Sequence, residues 1–121
     1  MRKFATILIL TLLIASCATT DNKQEIVVRV YHISISELLE NPTQYDGKIV
    51  EVTGLLSVSF ENVSVHSSDK RVWVKLTKEQ FADYRQYNGF YGYVRGTFDS
   101  RIKGHMGRYA GAIKQITRFG E

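Results

Sequence analysis

From Lys48 to Phe119, apolar residues fall largely at every second position in five separate runs, and this alternation points to a β architecture around one core. The runs are Lys48–Phe60, Val63–His66, Arg71–Leu76, Phe90–Asp99 and Ala110–Phe119. Val50 and Val52 alternate with Glu51 and Thr53, and Val72, Val74 and Leu76 alternate with Trp73 and Lys75. One face of each strand is therefore core and the other more polar. Between the third and fourth runs the period changes. Thr77 and Gln80 have the spacing of a capping box, and Phe81, Tyr84 and Tyr87 recur at helical intervals until Asn88-Gly89. Gly54 interrupts the longest run, where a residue without Cβ suits a bulge or sharp bend. Such a bend lets one strand serve two sides of a small barrel.

Three strands, a helix and two more strands is the order of an OB-fold, a partly open five-stranded barrel. In that arrangement Val50, Val52, Val72, Val74, Val94 and Phe98 line the interior, and Phe81 with Tyr84 plugs one end. An open antiparallel sheet has the same alternation and is the structural alternative. Upstream, Glu25–Ile33 reads as a further strand. Ser34-Ile35-Ser36-Glu37 reads as a capping box opening a short helix, with Ser34 as the cap, or Ser36 in its place; Pro42 stops the helix near Asn41. The expected fold is thus mainly β: a five-stranded OB-like barrel with a helix between strands three and four, plus an N-terminal strand and short helix, spanning residues 25–119.

The first residues carry an address. Arg2 and Lys3 precede an apolar run from Phe4 to Ile14, and the small residues Ala15 and Ser16 lead to Cys17. These are the three regions of a secretory signal. The run is short of the roughly 20 apolar residues of a permanent span. Leu13-Ile14-Ala15-Ser16-Cys17 resembles the lipobox of bacterial lipoproteins, which implies removal of residues 1–16 and acylation of Cys17. Residues 17–24 then form a polar tether. By the same resemblance, Ala18 implies the periplasmic face of the outer membrane in a Gram-negative host. Removal of 16 from 121 residues leaves 105, enough for one compact domain. Cys17 is the only cysteine, which excludes an internal disulfide and a cysteine-based zinc site. The formal charge of +4 includes Arg2 and Lys3, so the remainder carries a surplus of two, too small for the dense basic stripe of a nucleic-acid binder.

From about Ile35 to Phe119 the chain resembles a family of small bacterial OB-fold-like proteins, often exported. The resemblance is carried by YDGKIVEVTG (Tyr45 to Gly54), Phe60-Glu61, VWVKL (Val72 to Leu76), VRGTFD (Val94 to Asp99) and GHMG (Gly104 to Gly107). It implies architecture and export, and supplies no catalytic residues and no cofactor.

Candidate chemistry gathers in Ser100–Tyr109, where Arg101, Lys103, His105 and Arg108 surround Gly104 and Gly107. This segment joins the last two strands, one of the loops through which OB-folds take ligands. Arg101 and Arg108 have the two-point donors that grip a carboxylate or phosphate. A solvated hairpin tip is the plainer reading of the same charges. Glu61, His66 and His105 are the residue types for a metal or acid–base site, without any local ligand motif. Glu61 could equally answer Arg101 or Lys103 across the barrel mouth. Trp73, Tyr91 and Tyr93 have the parity of the outer face, where they form an interface or a platform for a sugar or base, with Trp73 a ligand-binding candidate, or are covered by residues 25–41, the favoured reading. The function expected is a lipid-anchored, non-catalytic binding or interaction module of the cell envelope, facing an envelope protein or an anionic envelope polymer. A metal-binding or hydrolytic enzyme using Glu61, His66 and His105 is one alternative, and a structural part of an envelope assembly is another.

Overall fold

The computed structural model describes residues 27–121; the leader, Cys17, the tether and the first two residues of the Glu25–Ile33 strand lie outside the described residues. The chain runs through β1 (Val30–His32), α1 (Ile35–Glu40), a 3₁₀ turn (Pro42–Tyr45), β2 (Ile49–Ser59), β3 (Asn62–Ser67) and β4 (Lys70–Val74). It continues through α2 (Lys78–Tyr84), a 3₁₀ turn (Arg85–Tyr87), β5 (Tyr91–Asp99), a second such turn at His105–Gly107, and β6 (Ala112–Gly120).

All six strands join one sheet in the order β1-β2-β3-β4-β6-β5, and β5 pairs again with β2, so the sheet closes partly into a ring. Strand β2 makes this possible by changing partner along its length: Ile49 to Leu55 pair with β5, and Leu55 to Ser59 pair with β3. The handover falls beside Gly54. No register shift occurs there; the irregularity of the sheet lies between Arg95 and Thr97 of β5 instead. Gly54 is required by close approach, since a Cβ at this position would lie 2.6 Å from the His66 carbonyl oxygen and 2.9 Å from Ile35 Cδ1. Closure is thinnest between β4 and β6, a parallel contact of two residue pairs, Trp73 with Ala112 and Val74 with Ile113.

Val50, Val52, Val72, Val74, Val94 and Phe98 are all fully buried inside the ring, as their alternation predicts. The plug differs from expectation. Helix α2 has no buried residue; Tyr84 stacks on Phe119 at 4.8 Å, and Phe81 is only partly covered. Ile35 and Leu38 of α1 are the helical residues completely inside the core. The space left at Gly54 explains the exchange, because it admits the end of Ile35. Thus the N-terminal segment is part of the core and does not form an outer layer over Trp73, Tyr91 and Tyr93.

Both helix starts follow the sequence signals. Thr77 and Gln80 complete a capping box, and Ser34 Oγ accepts the Glu37 amide at 3.0 Å. Glu37 does not reach back, because its carboxylate accepts the Tyr45 hydroxyl at 2.8 Å. Strand β1 is three residues, shorter than the Glu25–Ile33 run. Val30 pairs with Ile49, the first residue of β2, so among the described residues Val27 and Val28 upstream have no neighbouring strand, and they stand exposed. On the outer face Glu51 holds three elements together, meeting His32 of β1 at 3.2 Å, Arg95 of β5 at 3.0 Å and Arg118 of β6 at 3.2 Å. Every buried core residue described lies between Ile35 and Phe119, and each ring strand finds its neighbours in that span. Residues 27–121 therefore carry their own core, as an independently folding unit must.

Candidate functional site

The segment after β5 is fastened at both ends by hydrogen bonds to Asp99, Asp46 and Asn62. Asp99, nearly buried, accepts the Arg101 amide at 2.9 Å and the Arg101 guanidinium through two bonds of 3.0 Å, with Lys114 Nζ also at 3.0 Å. Those partners, Arg101 foremost, hold the Asp99 carboxyl well below the usual carboxylate range. Asp46 fixes the next residue, accepting the Ser100 amide at 2.6 Å and hydroxyl at 2.7 Å. Farther on, the Tyr109 amide donates to the Lys103 carbonyl at 2.9 Å. The Tyr109 hydroxyl donates to Asn62 Oδ1 at 2.7 Å, and its ring leans on Trp73 at 5.1 Å. Gly104, at φ 69°, sits so close beneath these rings that a Cβ would come within 2.8 Å of Trp73. The loop, and not residues 25–41, covers Trp73. Tyr91 stays exposed, and Tyr93 lies under the Arg118 guanidinium at 4.2 Å.

Latched in this way, the loop walls a basin of about 520 Å³ against the β2–β3 turn and the outer face of β4. Phe60, Glu61 and Asn62 line it from the turn and the start of β3, Arg71 from β4, and His105, Met106, Arg108 and Tyr109 from the loop. Glu61 makes the turn at φ 70° and brings its carboxylate to 3.8 Å from His105 Nε2. Arg71 and Arg108 make no ion pair among the described residues. They are the positive groups of the basin with donors to spare.

The candidate residues are thus divided. Arg108 and His105 line the basin, while Arg101 lines a separate hollow with Asp46, Asp99 and Lys114, and Lys103 Nζ lies 3.5 Å from the Ala110 carbonyl. Glu61 answers His105 and neither Arg101 nor Lys103. His66 does not line the basin with Glu61 and His105; it stands on β3 opposite Arg71, and burial, with the Arg71 charge, pushes its imidazole pKa down. Among the described residues no three His, Cys, Asp or Glu come together. Arg71 is the functional candidate that sequence reasoning passed over. Its parity matches Trp73 on the outer face of β4, and that parity was the available signal.

No protein-family model, curated protein or solved structure matches the chain.

Proposed function

We propose that the chain is an exported, lipid-anchored envelope protein of the small OB-fold-like kind, whose barrel is a non-catalytic module binding an anionic ligand in the Arg71–Arg108 basin. The ring order supports the OB-like reading: β2-β3-β4-β6-β5 and back to β2, with a helix between β4 and β5. In that fold the ligand face is formed by the second and third barrel strands and by the loops joining strands one to two and four to five. Here these are β3, β4, the Phe60–Glu61 turn and the Ser100–Tyr109 loop, the four walls of the basin.

The observation that carries the reading is the pair of guanidinium groups lining one hollow without a carboxylate on either. Forked donors of this kind recognise phosphate or carboxylate through paired, charge-assisted bonds. Glu61, whose carboxylate lies 3.8 Å from His105 Nε2, tempers the positive field of the basin. The test is titration of residues 27–121 with muropeptides and with lipopolysaccharide. Binding is expected to saturate, to weaken with salt, and to fall at least tenfold in Arg71→Ala/Arg108→Ala. Lys103→Ala, outside the basin, serves as the control with unchanged affinity. Equal affinities of the double variant and the parent reject the site.

A further inference from the structure

A second hollow adjoins the basin and differs from it in character. It is an apolar cleft of about 420 Å³ between the β2–β3 turn and the start of α2, walled by Phe60, Val63, Trp73, Leu76 and Phe81. The two hollows share Phe60 and Glu61, and Trp73 in one packs on Tyr109 in the other. Phe60 projects into water with 84% of its surface exposed, an uncommon position for a phenylalanine unless something covers it. Lys75 and Lys78 line the cleft. Its polar wall residues include Ser59 and Thr77, and Thr77 is already engaged as the cap of α2.

We infer that the ligand of this protein is an anionic amphiphile, a phospholipid-like molecule whose phosphate lies in the Arg71–Arg108 basin and whose acyl chain lies in the Phe60–Phe81 cleft. The inference rests on the anion-binding reading of the basin and adds the apolar half of the ligand. Charge complementarity sets the head: Arg71, Arg108, Lys75 and Lys78 stand around the joined hollows against Glu61 alone. The walls set the tail. Val63 and Leu76 are aliphatic and mixed with the aromatic rings, which suits a flexible hydrocarbon better than the flat face and polar edge of a sugar. The size of each hollow falls within the roughly 300–1,000 Å³ of small-molecule sites, and argues for one lipid in preference to a protein surface.

The probes are alkyl phosphates of eight, ten and twelve carbons, used as monomers, with glycerol phosphate as the head alone and dodecyl maltoside as the neutral tail. Binding to residues 27–121 is followed by calorimetry and by Trp73 fluorescence. Affinity is expected to rise about two- to fourfold per added methylene, as hydrocarbon leaves water, at one ligand per protein. Dodecyl maltoside is expected to bind at least tenfold more weakly than dodecyl phosphate. Leu76→Ser and Phe81→Ser should each lower dodecyl phosphate affinity at least fivefold and leave glycerol phosphate unaffected. The chain-length series on the unaltered protein holds as a test even if either variant fails to fold. A flat series with binding that still depends on Arg71 and Arg108 overturns the amphiphile and spares the anion site. Dodecyl maltoside binding as tightly as dodecyl phosphate also overturns it. Dodecyl phosphate affinity unchanged in Arg71→Ala/Arg108→Ala overturns the anion site with it.

Discussion

A single methyl group added at Gly54 tests the geometry by which one strand serves two partners. In Gly54→Ala the new Cβ would stand 2.6 Å from the His66 carbonyl oxygen, where ordinary contact begins at 3.4 Å, so the two strands must part by 0.8 Å. Ile35 Cδ1 at 2.9 Å and Val65 Cγ2 at 3.0 Å close the other directions of escape. The crowding atom is backbone, so no rotamer change relieves it. Overpacking of this kind costs about 1–3 kcal/mol, more than the roughly 0.4–1 kcal/mol alanine returns by stiffening the unfolded chain. With a urea slope of about 1–3 kcal/mol per M, a net loss near 1.3 kcal/mol lowers the midpoint by about 0.4–1.3 M. Trp73, the one tryptophan, reports the transition. Ile35→Val removes the Cδ1 contact and alone costs about 0.5–1.5 kcal/mol. In the double variant the losses should fall short of their sum by about 0.5 kcal/mol or more. An unchanged midpoint in Gly54→Ala, or strict additivity with Ile35→Val, refutes the close-packed handover.

Leu38→Ala should cost about 2–5 kcal/mol in the same urea assay, since this side chain is completely enclosed; a loss under 1 kcal/mol would mean that α1 only rests on the ring. Asp99 has a folded pKa depressed below its unfolded value, so its stabilising effect is full above about pH 4 and is lost as pH falls toward the folded value. Asp99→Asn should therefore lower the urea midpoint at pH 7 and flatten its decline between pH 4 and 2, and parallel pH profiles for the two proteins would contradict this. Cys17→Ser in the full chain should abolish incorporation of labelled fatty acid and release the protein from membranes; equal labelling would remove the lipid anchor.

The ring interior was legible because alternation reports parity directly: Val50, Val52, Val72, Val74, Val94 and Phe98 need only the period of a strand to be assigned inward. Caps were legible for a similar reason, being contacts over three residues. What escaped involved long separations. Nothing local distinguishes Ile35 and Leu38 from Phe81 and Tyr84 as plugs, and the deciding fact is the shape of the space beside Gly54, some twenty residues away. Glu37 looked committed to Ser34 until a tyrosine eight residues on offered its hydroxyl. In the loop, four positive or titratable residues in one stretch suggested one site. The fold sends Arg101 to Asp99 two residues back and brings Arg71 in from β4, a pairing that only the sheet register reveals.

The two-pair seam between β4 and β6 is the place where this ring is expected to open first. At its two ends the Trp73 amide donates to the Gly111 carbonyl at 3.0 Å and the Lys75 amide to the Ile113 carbonyl at 2.9 Å. A joint so short should open at a lower free energy than the long β2–β5 ladder, and its amides are expected to exchange with solvent ahead of the core. Trp73 and Lys75 also wall the apolar cleft, while the loop that runs into β6 walls the basin. A molecule seated across both must find the seam shut, so its affinity includes the free energy of closing it, and deuterium uptake at these two amides slows in proportion to occupancy.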